Sequence, residues 1–214
     1  MSKYTEPNYK TSAVITIDTQ CDTLDGQPLE IPGTSAALPN IRAILDTYRK
    51  NALPVVHIVR IYKRDGSNVD LWRKEAVEDG TDILLEGSPG CELATGMFDG
   101  NVRLDPDLLL SGRTQKVGNN EVVIYKPRWG AFFNTPLESH LRSSGVDTLV
   151  FVGCNFPNCP RTSIYEASER DFKIVLVEDA VSGLYLKGKE ELRNIGVQVT
   201  NAETAIQSIL KSGR

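Results

Sequence analysis

The sequence contains only two histidines, His57 and His140, among 214 residues. His57 lies inside an apolar, strand-like segment, and His140 lies on a predicted helix that packs on a sheet. Neither position suits a Cys–His or Ser–His–Asp centre, which needs an imidazole beside the nucleophile. If the protein is a nucleophilic enzyme, a carboxylate and a lysine must supply the base and the charge.

The sequence also lacks long apolar runs, a signal-like segment and a positive net charge. No run approaches the roughly 20 residues that span a membrane, and the N-terminal MSKYTEPNYK has no apolar core of a signal peptide. A net charge of −4 argues against a general binder of nucleic acid or anionic membranes. With four cysteines and room for one sizeable core, we expect free thiols, a cytoplasmic location and one domain spanning residues 1–214.

Apolar segments of strand length alternate with helical patterns along the chain. The strand-like segments are residues 13–18, 54–60, 121–126, 147–153 and 172–179, with a weaker sixth at 196–200. The helical patterns cover residues 38–51, 136–144, 160–172, 187–194 and 203–211. The pattern predicts an α/β fold, a three-layer α-β-α sandwich around a doubly wound, mostly parallel sheet of about six strands. Residues 62–115 are rich in glycine, and we expect a long excursion with short helices there.

Three reactive side chains are predicted at the carboxyl edge of this sheet, where open parallel sheets bind their ligands. Asp18 ends the first strand segment, Lys126 ends the third, and Cys159 follows the fourth at the start of a helix. Each residue alone has an ordinary structural explanation, as a loop cap, a solvated lysine or an inert core thiol. Their joint position favours a catalytic role.

Cys159 is the candidate nucleophile. Pro160 fits the first helical turn because proline lacks the N–H that is unpaired there. A cysteine at a helix start experiences the positive end of the helix dipole, and the Lys126 ammonium adds to this effect, so we expect a stabilised thiolate. The backbone N–H groups of the same turn can form an oxyanion hole. The other three cysteines are interpreted as structural.

The residues around these positions resemble the isochorismatase-like cysteine hydrolase superfamily over almost the whole chain. The matching segments are VITIDTQ at Val14–Gln20, KPRWGAFFNTPL at Lys126–Leu137, VDTLVFVGCNFPNC at Val146–Cys159 and DFKIVLVEDAVSG at Asp171–Gly183. The resemblance implies an Asp–Lys–Cys catalytic triad at Asp18, Lys126 and Cys159. It also implies a cis peptide between Cys154 and Asn155, and an oxyanion hole formed by the N–H groups of Asn155 and Cys159.

The resemblance further implies an amidohydrolase that cleaves a small amide or ureide C–N bond through an acyl-thioester, with water as the second substrate. Family members that hydrolyse the vinyl ether of isochorismate generally lack the cysteine. Because Cys159 is present, hydrolysis of an amide or ureide is favoured and ether hydrolysis is the alternative. Nicotinamidases of the superfamily carry an Asp/His metal cluster after the second strand. Here His57 has no second histidine nearby, so we predict no metal and no cofactor. Relatives commonly form dimers or tetramers, and we expect a homo-oligomer.

The loop Asn155–Asn158 departs from the family pattern, since Phe156 and Pro157 replace small residues and threonine. We expect this loop to select the substrate. The pocket candidates are Gln20, Trp129, Phe133, Asn155 and Asn158. For the two aromatic residues, core or interface packing is an equal alternative.

Two other classes of protein fit the sequence less well. A nucleotide-binding module predicts a G-x-G-x-x-G turn after the first strand, and residues 18–23 contain no glycine. A redox or ligand-binding thiol protein would use Cys154 and Cys159. Their spacing is C-x4-C, whereas thioredoxin-like sites have C-x-x-C.

Overall fold

The computed structural model describes residues 2–98, 100 and 102–212. Seven strands form one sheet in the order β3-β4-β2-β1-β5-β6-β7. They are β1 (Ser12–Ile17), β2 (Val55–Val59), β3 (Gln115–Gly118), β4 (Glu121–Tyr125), β5 (Thr148–Gly153), β6 (Lys173–Val181) and β7 (Gln198–Thr200). β3 pairs antiparallel with β4, and the other pairs are parallel. Six strands match predicted segments, and β3 is an addition.

The described residues also form seven α-helices. They are α1 (Thr34–Lys50), α2 (Leu71–Glu78), α3 (Pro106–Leu110), α4 (Leu137–Ser143), α5 (Cys159–Ser168), α6 (Leu186–Asn194) and α7 (Ala202–Ser212). α2 and α3 are the short helices expected in the excursion, and α2 contains no buried residue. None of these helices is both long enough and apolar enough to cross a membrane.

α1 begins four residues earlier than predicted, because its first turn is capped from a distant loop. The carboxylate of Asp25 accepts hydrogen bonds from the backbone N–H groups of Gly33 and Ser35, both at 2.8 Å. These are donors that a helix start otherwise leaves unpaired. Pro39 then lies inside the helix rather than at its start.

Alternate side chains of the strands pack on opposite faces of the sheet. Ile15 and Ile17 of β1 belong to one apolar cluster with Ile164 of α5, whereas Val14 belongs to a second cluster with Ile41 of α1. Each such side chain contributes about 1.5–3 kcal/mol when it is fully buried. The helices therefore cover both faces, which confirms the predicted three-layer α-β-α sandwich.

The central strands end at the same edge of the sheet. β1 lies between β2 and β5, and Ile17 is paired with Ile58 on one side and Gly153 on the other. Gly153 has φ +115°, and a Cβ there would lie 2.2 Å from the carbonyl oxygen of Ile17. Only glycine permits this approach of β5 to β1. The residues after these strands are thereby brought together.

Candidate active site

Asp18, Lys126 and Cys159 lie in contact at this edge. Nζ of Lys126 is 2.9 Å from Oδ2 of Asp18 and 3.3 Å from Sγ of Cys159. It also donates to the carbonyl oxygen of Arg128 at 3.2 Å. All three side chains are buried, and that of Lys126 is 0% exposed. A buried ammonium is tolerated when it is paired and hydrogen-bonded, as it is here.

Asp18 stands at the turn that follows β1, in left-handed backbone with φ +47°. The turn is held by its own carbonyl oxygen, which accepts from Oγ1 of Thr23 at 3.0 Å and from Sγ of Cys154 at 3.0 Å. Oδ1 of Asp18 is buried and has no hydrogen-bond partner in the part of the chain that the structure describes. That oxygen is therefore free to accept a proton from a bound group.

Cys159 is the first residue of α5, as predicted, but its surroundings favour the neutral thiol. Burial and the neighbouring carboxylate of Asp18 raise the pKa of Cys159 to about 11, although Lys126 and Arg60 act to lower it. The stabilisation of the thiolate expected from the helix start and Lys126 is therefore outweighed by burial and Asp18.

The peptide bond between Cys154 and Asn155 is cis, as the resemblance implied. The following loop is fixed by the N–H of Phe156, which donates to Ser182, and by the N–H of Asn158, which donates to Asn155. Among the hydrogen bonds of the described residues, the N–H groups of Asn155 and Cys159 have no acceptor. Both donors are therefore available for a developing oxyanion.

A cavity of about 100 Å³ opens on Asp18 and Cys159. Trp129, Asn155 and Asn158 line it, so three of the five pocket candidates stand beside the sulfur. Three larger depressions in the surface, of about 210, 260 and 490 Å³, contain no member of the triad. The small volume at the triad favours a small substrate.

The structure places the other two pocket candidates, Gln20 and Phe133, outside this lining. Nε2 of Gln20 donates to the carbonyl oxygens of Arg60 at 2.9 Å and Cys91 at 2.6 Å, and its Oε1 accepts from the N–H of Arg60 at 2.8 Å. Gln20 therefore ties β1 to the end of β2 and to the excursion. Phe133 is 49% exposed on the surface.

Two arginines of the cavity were not predicted from the sequence. Arg60 directly follows β2 and therefore stands at the same edge as Asp18, a signal that the strand pattern already contained. Arg73 lies on α2, within the excursion, where the sequence gives no periodic pattern. The described residues contain no group of three or more His, Cys, Asp and Glu side chains that could hold a metal ion.

Both the sequence and the fold of this chain match one family of known proteins. Residues 12–204 match the isochorismatase domain. The α/β fold with its mostly parallel seven-stranded sheet also matches an isochorismatase family protein from Desulfovibrio vulgaris subsp. vulgaris str. Hildenborough, with a TM-score of 0.79 and 28% identity over 94% of this chain and 98% of that one. The chain belongs to the isochorismatase family.

Two curated relatives differ in what they are said to do. N-carbamoylsarcosine amidase of Arthrobacter sp. is 27% identical over 205 residues, which cover 91% of this chain and 70% of the amidase. A probable inactive nicotinamidase of Arabidopsis thaliana is 26% identical over 197 residues, which cover 89% of this chain and 92% of that protein. The relatives therefore include an amidohydrolase, and whether this chain is active has to be decided from its own site.

Proposed function

We propose that this protein is a cysteine amidohydrolase that cleaves a small amide or ureide C–N bond. Cys159 is the nucleophile, Asp18 the general base and acid, and Lys126 the group that stabilises their negative charges. The observation that carries the proposal is the position of Nζ of Lys126, 2.9 Å from Asp18 and 3.3 Å from Cys159, in a buried cluster that opens on a small cavity.

The reaction begins with proton transfer from the thiol of Cys159 to the carboxylate of Asp18. The raised pKa of Cys159 means that this proton is present at rest, so a base within reach is required. As the proton leaves, the thiolate comes under the influence of Lys126 and attacks the carbonyl carbon. The N–H groups of Asn155 and Cys159 donate to the oxyanion that forms.

The C–N bond then breaks as Asp18 returns its proton to the leaving nitrogen, which gives an acyl-thioester on Cys159. A water molecule enters, Asp18 accepts one of its protons, and the resulting hydroxide attacks the thioester. When the second tetrahedral intermediate collapses, the acid leaves and the sulfur recovers its proton from Asp18. Each turnover returns the thiol proton to Cys159, so the starting charges are restored.

The geometry favours this reaction over disulfide chemistry between the two cysteines of the loop. All four cysteines are free, and the thiol of Cys154 donates to the carbonyl oxygen of Asp18 rather than facing a second sulfur. Burial raises the pKa of the Cys154 thiol far above its usual range, which makes it a poor nucleophile.

The test is Cys159→Ala, assayed for release of ammonia or amine from a panel of small amides, ureides and carbamoyl compounds. We expect at least about a 1,000-fold loss of kcat/KM, since removal of a covalent nucleophile leaves only binding and oxyanion stabilisation. Mass spectrometry of the wild-type protein quenched during turnover should show an acyl group on the peptide that contains Cys159.

Cys21→Ala is the matched control, because Cys21 lies outside the cavity lining and should leave turnover unchanged. Thermal unfolding of both variants checks that they are folded. Turnover that survives in Cys159→Ala would refute the mechanism, and a wild-type protein inactive on the whole panel would refute the function.

A further inference from the structure

Arg60 carries unused hydrogen-bond donors inside the cavity. Its side chain is buried, at 1% exposure, and its Nη1 donates to Oδ2 of Asp70 at 3.0 Å and to the carbonyl oxygen of Pro127 at 2.8 Å. Nε and Nη2 have no hydrogen-bond partner in the part of the chain that the structure describes. These two atoms form one side of the guanidinium fork, which matches the two oxygens of a carboxylate.

A second guanidinium, that of Arg73, lines the same cavity. The indole of Trp129 lies 5.9 Å from the guanidinium carbon of Arg60 and 5.1 Å from that of Arg73. Nη1 of Arg73 also donates to the hydroxyl of Tyr62 at 3.0 Å. These contacts hold both cations close to one wall of the cavity, with Cys159 in the same lining.

The two arginines of this wall share one carboxylate. Asp18 is paired with Lys126, and a single carboxylate, that of Asp70, contacts both arginines at 3.0 and 3.5 Å. The nearby buried carboxylate of Asp22 accepts instead from the backbone N–H of Leu84. Glu30 also borders the cavity, but it is exposed, so water screens its charge.

We propose that Arg60, together with Arg73, binds a carboxylate of the substrate, so that the substrate is a small amide or ureide that carries a carboxylate group. This inference rests on the proposed function for the reaction itself, but the anion site can be tested without turnover. A carboxylate bound there satisfies the two free donors of Arg60 and gives the two guanidinium groups a second anionic partner besides Asp70. It also fixes the distance between the anionic end of the substrate and the carbonyl group that Cys159 attacks.

The first experiment compares two amides of similar shape, succinamate and butyramide, which differ in a carboxylate at the end remote from the amide. We expect a higher kcat/KM for succinamate, by about 10- to 100-fold, which is the usual worth of a charge-assisted hydrogen-bonded pair. Equal values for the two amides would overturn the anion site and leave the amidohydrolase proposal intact.

The second experiment measures succinamate binding by calorimetry, in a Cys159→Ala background that cannot turn it over. Adding Arg60→Lys keeps a positive charge beside Asp70, which protects the fold, but removes the fork. We expect the Kd for succinamate to rise about 10-fold or more. Arg73→Met removes the second guanidinium and should also weaken binding, and thermal unfolding checks that this variant is folded.

The matched control is Arg64→Met, which removes the same charge from an exposed residue of the excursion that does not line the cavity. It should leave the Kd unchanged. Binding that weakens equally in Arg64→Met and in the Arg60 and Arg73 variants would overturn the site in favour of general electrostatic attraction. If succinamate binds through Arg60 but no amide is hydrolysed, the anion site stands and the proposed function fails.

Discussion

Replacing Asp18 by asparagine should convert the thiol of Cys159 into a more acidic group. In the wild-type site the carboxylate of Asp18 raises the pKa of Cys159 and competes with the sulfur for Lys126. In Asp18→Asn the thiolate becomes the principal anionic partner of that ammonium. The pKa of Cys159 should therefore fall below about 11, the reverse of what burial alone would do.

The size of the fall is set by the negative charge that Asp18→Asn removes. Nζ of Lys126 is 2.9 Å from Oδ2 of Asp18 and 3.3 Å from Sγ of Cys159, so the carboxylate and the sulfur lie within about 6 Å of each other. Two like unit charges about 6 Å apart repel by about 3 kcal/mol at an effective dielectric constant near 20, and by about 0.7 kcal/mol in water. Since one pKa unit corresponds to about 1.4 kcal/mol, we expect the pKa of Cys159 in the variant to fall by about 0.5 to 2 units or more.

The assay is the rate of alkylation by iodoacetamide as a function of pH, followed by mass spectrometry on the peptide that contains Cys159. Each cysteine-containing peptide is analysed separately because Cys21 is more exposed than Cys159 and is alkylated independently of it. Asp25→Asn, which removes an exposed carboxylate outside the cavity, is the control and should keep the wild-type inflection. An inflection in Asp18→Asn that stays in place or moves to higher pH would refute the reasoning, as would undiminished amide hydrolysis.

Two further predictions concern stability. Burial alone would raise the pKa of Glu121, but hydrogen bonds and charges from His57 and Arg49 lower it from 4.5 to about 2. This contribution is present above pH 4.5 and lost as the pH falls toward 2. It amounts to about 3 kcal/mol by the conversion of about 1.4 kcal/mol per pKa unit. Urea unfolding of Glu121→Gln should show a lower free energy at neutral pH and a flatter acid profile; a profile parallel to that of the wild type would contradict this. Gly153→Ala should cost about 3 kcal/mol or more, because its Cβ meets the backbone of β1 at positive φ. Gly100→Ala meets nothing within 4 Å and should be near neutral, so equal urea midpoints for the two variants would show that the close approach is unimportant.

The sequence predicts those strands that are buried on both faces. β1, β2 and β5 consist of buried residues, and their apolar runs are visible in the sequence. β3 is an edge strand whose residues are half-buried or exposed, so QKVG carries no apolar signal. The same reason hides α2, which has no buried face.

The site is predictable in position but not in ionisation. The order of strands and a helix start suffice to bring Asp18, Lys126 and Cys159 to one edge. They do not show how deeply the sulfur is buried or that the carboxylate acts on it, and these two facts decide the protonation of Cys159. The strand order also places Arg60, directly after β2, at this edge, but it does not show that two of its donors lack a partner among the described residues.

Because helix α2 borders one half of the cavity, a change in ionic strength should affect the two halves differently. Only Val77 and Arg73 of this helix are even half-buried; Val77 packs against an apolar cluster, and Arg73 reaches the carboxylate of Asp70. Added salt screens the half-buried Arg73 more than the buried pair of Arg60 and Asp70, and it leaves the apolar packing of α5 and Cys159 intact or strengthens it. Ionic strength therefore acts on how the substrate is held through Arg73, and much less on the group that performs the chemistry.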